Sequence, residues 1–200
     1  MIYKSAYNNQ EEILNAILSL HCPDGFDVDA SYGNGSFYSN GIPAPKLKFD
    51  IDGTLTGCSE ASSTHLPIAD SSVDSVVFDP PFLTYVRSNR VGNGNMIMSK
   101  RFSGYWSYQD LEDHYRLSLK EFGRILRVGG VVVFKCQDII HNHKHHPTHI
   151  NVVNWGVEYG FRLLDLFILV ASHRLPSPNR KGTQRHARIF HNYFLVLKRL

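Results

Sequence analysis

Val73-Asp74-Ser75-Val76-Val77-Phe78-Asp79-Pro80-Pro81-Phe82 is a short apolar run that stops on an acid, two prolines and an aromatic ring. Val76 to Phe78 are β-branched and aromatic, the composition of a central parallel strand buried on both faces. Neither proline can donate to a ladder, so the chain leaves the sheet at Asp79. Open α/β sheets bind ligands beyond the carboxyl ends of their strands, and two residues of fixed φ hold rigidly whatever group stands there. Asp and Pro are also ordinary turn residues, so the alternative is a capped strand end followed by a stiff turn. The neighbouring sequence weighs against that alternative.

Upstream, Asn8 to Leu18 has polar cap candidates, early acids and apolar residues at helical spacing, which predicts an amphipathic helix ended by Pro23, Asp24 and Gly25. Phe26 to Ser31 reads as a first strand leading into Tyr32-Gly33-Asn34-Gly35, and Lys46 to Asp52 as a second. Downstream, Ser107-Tyr108-Gln109-Asp110 approximates a capping box. Leu111, Tyr115, Leu119, Phe122, Ile125 and Leu126 then recur at three- and four-residue spacing up to Gly129-Gly130, from which a fifth strand, Val131 to Lys135, is expected to start. Thr148 is read as the cap of a helix running through Tyr159 to Gly160. Phe161 to Val170 and Ile189 to Leu197 read as two terminal strands, antiparallel by their proximity.

Two hundred residues, 42% hydrophobic and 20% charged, describe one globular domain, 1–200. A formal charge of +3 with a pI of about 8.7 permits a polyanionic partner without demanding one. The three cysteines, Cys22, Cys58 and Cys136, are odd in number and lack metal-ligand spacing, which argues against a disulfide scaffold and fits a reducing compartment. Neither a signal peptide nor a membrane-length apolar run is present, so a cytoplasmic location without membrane contact is expected. Oligomeric state is left open.

Asp79-Pro80-Pro81-Phe82 resembles the signature of S-adenosylmethionine-dependent amino-methyltransferases, which modify adenine N6 or cytosine N4 in DNA. The chemistry suits those residues. An exocyclic amine is a poor nucleophile because its lone pair is delocalised into the ring, so a site must localise and aim that pair. Asp79 can accept one N–H and the Pro80 carbonyl the other, Pro81 fixes the turn, and Phe82 stacks on the base. A base in a duplex cannot reach such a pocket, so the resemblance implies extrusion or a single-stranded substrate.

The resemblance covers Phe26 to the C-terminus and implies a Rossmann-like class I methyltransferase, an α/β fold with a seven-stranded, mostly parallel sheet whose last strand inserts antiparallel beside the fifth. The implied cofactor is S-adenosyl-L-methionine. Its methionine part would lie over Asp29, Ala30, Ser31, Gly33 and Gly35, and its ribose hydroxyls would donate to Asp50, with Asp52 the alternative. The glycine motif stands about forty residues before Asp-Pro-Pro-Phe, so the chain is not of the permuted type, and no target-recognition domain is expected. Leu66-Pro67-Ile68 also fits, but the acid expected shortly before it, which meets the cofactor's adenine amine, is replaced by Ser62 or Ser63.

Nucleic acid, with DNA adenine N6 first and RNA or a protein amide as alternatives, is the expected partner. The loop 83–106 carries Tyr85, Arg87, Arg90, Lys100, Arg101, Phe102, Tyr105 and Trp106. The loop 173–188 carries Arg174, Arg180, Lys181, Arg185 and Arg188. Cations meet phosphates and rings stack on bases, so both loops are candidate substrate arms, with ordinary surface loops as the alternative. Two further readings compete. Phe49-Asp50-Ile51-Asp52-Gly53-Thr54 matches the nucleophile loop of haloacid-dehalogenase-type phosphatases, but the strand ending in Lys135-Cys136-Gln137-Asp138 offers one acid where a magnesium site needs two. A catalytically silent nucleic-acid-binding subunit is the other. His141, His143, His145, His146 and His149 lack Cys or acid partners at ligand spacing, so a solvated loop is expected there rather than a metal site.

Overall fold

The computed structural model describes residues 2–84, 104–171 and 185–200. The deciding stretch forms β5 (Val73–Phe78), and its side chains alternate between two buried layers. Val76 and Phe78 pack on one face of the sheet and Val77 on the other. The same alternation runs through β6 (Leu126–Cys136), where Val132 and Phe134 oppose Val131 and Val133. In β10 (His191–Arg199), Leu195 and Leu197 oppose Phe194 and Val196. A strand apolar at every position is stable only when both faces are covered, and helices do this here. α1 (Gln10–His21) covers one face with Ile13, Leu14, Ala16 and Ile17. α2 (Tyr108–Ile125) and α3 (Thr148–Glu158) cover the other, with Leu111, Tyr115, Leu119, Phe122, Val152 and Trp155.

With β1 (Ala6–Tyr7), β2 (Val28–Asp29), β3 (Leu47–Asp50), β4 (Ser59–Glu60) and β9 (Phe161–Val170), the sheet has eight strands in the order β1-β9-β10-β6-β5-β2-β3-β4. β2, β3, β5 and β6 pair in parallel, so their carboxyl ends share one edge. β10 is antiparallel between β6 and β9, the expected placement of a last strand. The eighth strand departs from the expected seven. β1 pairs with β9 only at Ala6 and Tyr7, too few residues to carry a period-two signal.

The start of α2 follows the sequence reading. Ser107 Oγ accepts the Asp110 N–H at 3.1 Å, and the Asp110 carboxylate accepts the Ser107 N–H at 2.9 Å, a reciprocal capping box. Its end does not. Instead of running to the glycine pair, the helix stops at Ile125, and Leu126 is already extended. The glycines lie inside β6, where the register with β5 shifts between Val73 and Ser75. Gly129 takes φ +87°, and a Cβ on Gly130 would stand 3.0 Å from the Arg127 and Asp74 carbonyl oxygens and the Leu126 side chain. Gly130→Ala is therefore expected to cost about 1–3 kcal/mol in urea unfolding, the usual cost of forced overpacking. An unchanged midpoint would show that β5 and β6 can part there.

Two smaller differences concern the segment after β6. The histidine-rich stretch is a hairpin rather than a solvated loop, formed by β7 (Ile139–His141) and β8 (Lys144–His146). His146 stacks on Tyr108 with centroids 3.8 Å apart, and His149 Nδ1 lies 2.7 Å from the buried Asp138. Pro147 occupies the cap position of α3, leaving Thr148 as a fully buried first residue. Among the described residues no helix is long and apolar enough to cross a membrane, and no group of three or more His, Cys, Asp or Glu could hold a metal ion.

Candidate functional site

β2 delivers Asp29 to the carboxyl edge of the sheet, 1% exposed. The Tyr38 hydroxyl donates to its Oδ2 at 2.5 Å, and the Ser31 N–H to its Oδ1 at 2.7 Å. Burial pushes its pKa up to about 7, the two donors oppose that rise, and the negative charge of Asp79 adds to it. The sign follows from linkage. A folded pKa above the unfolded value of 3.8 means the native state binds this proton more tightly, so stability is lost as pH rises from about 4 to 7. Wild-type stability relative to Asp29→Asn, which cannot ionise, is expected to decline over that window in urea titrations. A flat difference would mean Asp29 stays charged.

The turn after β2 is held to its neighbouring strands. Ala30 N–H donates to the Val77 carbonyl at 3.1 Å, and Gly33 N–H to Asp50 Oδ2 at 2.8 Å. Gly35 takes φ +76°, and a Cβ there would stand 2.6 Å from the Tyr32 hydroxyl. That clash explains the glycine, because Tyr32 is stacked on Tyr38, with centroids 5.9 Å apart. Asp50 ends β3 and also accepts the Asp52 N–H at 3.0 Å through Oδ1. Asp52 turns away, its Oδ1 accepting the Thr54 N–H at 3.0 Å and the Thr54 hydroxyl at 2.6 Å. The two acids of the phosphatase alternative thus face different partners.

Asp79 stands beside this turn. Its N–H donates to Ser31 Oγ at 2.8 Å, and Ser31 Oγ is 3.3 Å from Asp29 Oδ1, so one serine links the two acids. Lys135, ending the apolar run of β6, places Nζ 3.0 Å from Asp79 Oδ2 and 3.0 Å from Gln10 Oε1. Asp79 Oδ1 accepts from none of the described residues. Pro80 is buried, and the Tyr115 hydroxyl donates to the Pro81 carbonyl at 2.8 Å, which fixes the turn from the α2 side. Phe82 is half-buried, and Tyr105 N–H returns to the Leu83 carbonyl at 2.9 Å. Of the two arms, Tyr85, Arg87, Arg90, Lys100, Arg101, Phe102, Arg174, Arg180 and Lys181 lie outside the described residues. Tyr105, Trp106, Arg185 and Arg188 lie within them.

Ser63 points into the fold, 2.8 Å from His114 Nε2 and 3.0 Å from Ser118 Oγ. Tyr105 Oη meets the other nitrogen of His114 at 2.5 Å, and burial lowers the pKa of that imidazole. Glu60 stands at the carboxyl end of β4, in register with Asp50. Its carboxylate crowds Gly53, where a Cβ would overlap it. Besides Glu60, sequence reasoning passed over Lys135, Gln10, Tyr38 and Tyr115. Only Lys135 left a signal, as a lysine terminating a strand otherwise composed of Val and Phe.

The arrangement is an acid with one carboxylate oxygen unengaged among the described residues, held at a strand end next to a glycine turn. No protein-family model and no curated protein matches the chain. Solved structures do. TrmN from Thermus thermophilus matches at 15% identity with a TM-score of 0.53, over 94% of this chain and 48% of TrmN. An S-adenosylmethionine-dependent methyltransferase of Methanosarcina mazei matches at 12% and 0.52, over 92% and 97%. The [4+2]-cyclase SpnF matches at 12% and 0.55, over 94% and 81%. The chain spans about half the length of TrmN and of a second T. thermophilus protein, TTHA0409. The fold is the Rossmann-like class I methyltransferase fold. Because that fold also holds a cyclase, the reaction has to be argued from the site.

Proposed function

We propose that this protein is an S-adenosylmethionine-dependent methyltransferase acting on an exocyclic amine of a nucleic-acid base, DNA adenine N6 foremost. The observation that carries the reading is Asp79 Oδ2 held by Lys135 while Oδ1 meets no donor among the described residues, with Ser31 tying this acid to the turn that would hold the cofactor. The residues present fit that cofactor. Asp29 to Gly35 offer backbone groups and glycines at positive φ, and Asp50 offers a carboxylate at the next strand end. The bound cofactor supplies the electrophilic methyl group. Asp79 and the Pro80 carbonyl accept the two N–H groups of the amine and turn its lone pair out of the ring, and Phe82 stacks on the base. As the aimed amine nitrogen takes the methyl group, the methyl–sulfur bond would break and leave the neutral demethylated thioether, and the proton shed by the nitrogen would pass to solvent.

Purified protein incubated with methyl-labelled cofactor and, separately, with DNA, RNA and protein extracts should label DNA, and digestion should yield N6-methyladenine. Label in RNA or protein alone would move the acceptor while keeping the reaction. No label in any of them would favour a silent binding subunit. The two arms have their own expected result. Neutralising Arg87, Arg90, Arg180 and Lys181 should weaken DNA binding and flatten its dependence on salt, each lost phosphate contact lowering the slope by about one. An unchanged slope would leave both loops as ordinary surface.

A further inference from the structure

Lys135 is a charged residue in an expensive place. Phe78 of β5 is in register with Phe134 of β6, so Asp79, where β5 has ended, comes beside Lys135, which is still paired with Phe194 of β10. The lysine is 9% exposed. Its ammonium has three N–H donors and no acceptor. One oxygen of Asp79 and the Gln10 amide oxygen each lie 3.0 Å away. The Phe37 and Phe194 rings cover the remaining side, their centroids 5.2 and 5.5 Å from Nζ, within reach of cation–π attraction. Gln10 is itself anchored, its amide nitrogen donating to the Phe37 carbonyl at 3.3 Å. Groups from the residue after β5, from the first residue of α1, from the short 3₁₀ turn Ser36–Tyr38 and from β10 thus surround one cation.

A methionine would fill this space without the loss of solvation that burying an ammonium entails, so packing does not explain the charge. Reaching for a ligand does not explain it either, because the cage turns the ammonium toward protein groups on all these sides. What the cation does accomplish is visible on Asp79. The backbone of that residue is fixed through Ser31 and one carboxylate oxygen through Lys135, which leaves Oδ1, without a donor among the described residues, in a single orientation.

We propose that Lys135 is the positioning residue of Asp79, restraining Oδ2 so that Oδ1 alone meets the acceptor amine. This rests on the methyltransferase reading above. Orientation of this kind acts on turnover rather than on affinity, since a misplaced acceptor still leaves the cofactor bound.

The test is Lys135→Met, assayed with labelled cofactor on whichever acceptor the wild type methylates, alone and combined with Asp79→Asn. The expected result is a kcat about tenfold lower with KM for S-adenosylmethionine within about twofold of the wild type. In the Asp79→Asn background the same substitution should cost nothing further, because the group it positions has already been altered. An unchanged kcat, or an equal loss in both backgrounds, overturns the proposal. So does a rise in KM at constant kcat, which would make Lys135 a ligand-binding group. Thermal unfolding of the wild type and the three variants separates this claim from the reaction. Losses in Tm that fail to add show Lys135 holding Asp79, and additive losses overturn the positioning role whatever the enzyme does. A wild type that methylates nothing overturns the methyltransferase reading, and the proposal falls with it even where the losses in Tm do not add.

Discussion

Asp79→Ala is expected to leave S-adenosylmethionine binding within a few-fold of the wild type and to lower kcat by two or more powers of ten, about 2.7 kcal/mol or more of transition-state stabilisation. The argument rests on what surrounds the residue. Asp79 is reached through a buried strand, its N–H is bonded to Ser31, its Oδ2 to Lys135, and the next turn is pinned where Tyr115 donates to the Pro81 carbonyl. A group fixed from three directions before any substrate arrives loses little on binding, and so its whole hydrogen bond is spent on the reacting geometry. Asp79→Asn should fall between the two, since the amide keeps an acceptor oxygen but has lost the charge that Lys135 engages. Phe82→Trp should be milder than Phe82→Ala, because any flat ring can stack. Calorimetry with the cofactor and single-turnover methyl transfer measure the two quantities separately. An Asp79→Ala variant turning over within a few-fold of the wild type would place the chemistry elsewhere.

The second large effect is expected at Asp50, where Ala should weaken cofactor binding about a hundredfold, roughly 2.7 kcal/mol. The loss has two sources. On the proposed reading a carboxylate acceptor for the ribose hydroxyls disappears, and the Gly33 N–H that Asp50 Oδ2 receives at 2.8 Å is released, which loosens the turn proposed to lie under the cofactor. Asp52→Ala should change affinity only a few-fold, because among the described residues that exposed side chain bonds only to Thr54. Equal effects at the two positions would mean the ribose lies elsewhere. Absent cofactor binding together with magnesium-dependent phosphatase activity would return the case to the phosphatase alternative.

Several elements were legible because the signal is local. The capping box at Ser107, the apolar spacing of α2 and the stop that two prolines impose after Phe78 each depend on neighbours within a few residues. The end of α2 misled for the same reason. Gly129-Gly130 is a common helix terminator, yet here it serves a bulge between β5 and β6, a demand that comes from a strand more than fifty residues earlier in the chain. β1 and the β7–β8 hairpin are too short to show any period, and the histidine-rich stretch read as solvated because Tyr108, on which His146 stacks, becomes its neighbour only on folding.

The sequence by itself determined that strands buried on both faces pack against amphipathic helices, that the chain must leave the sheet at Asp79, and which acids and glycines stand at the strand ends. Those are consequences of apolar period, proline chemistry and turn residues, all written along the chain. Tertiary structure alone decided which of these groups meet. Ser31 lies between two acids, Lys135 lies against Asp79 from 56 residues away, and Ser63 turns from the expected cofactor side into α2. The physical reason is that parallel pairing brings residues distant in sequence into register at one edge of the sheet. A side chain's partner there is set by the register of the strands and not by anything adjacent to it in the chain.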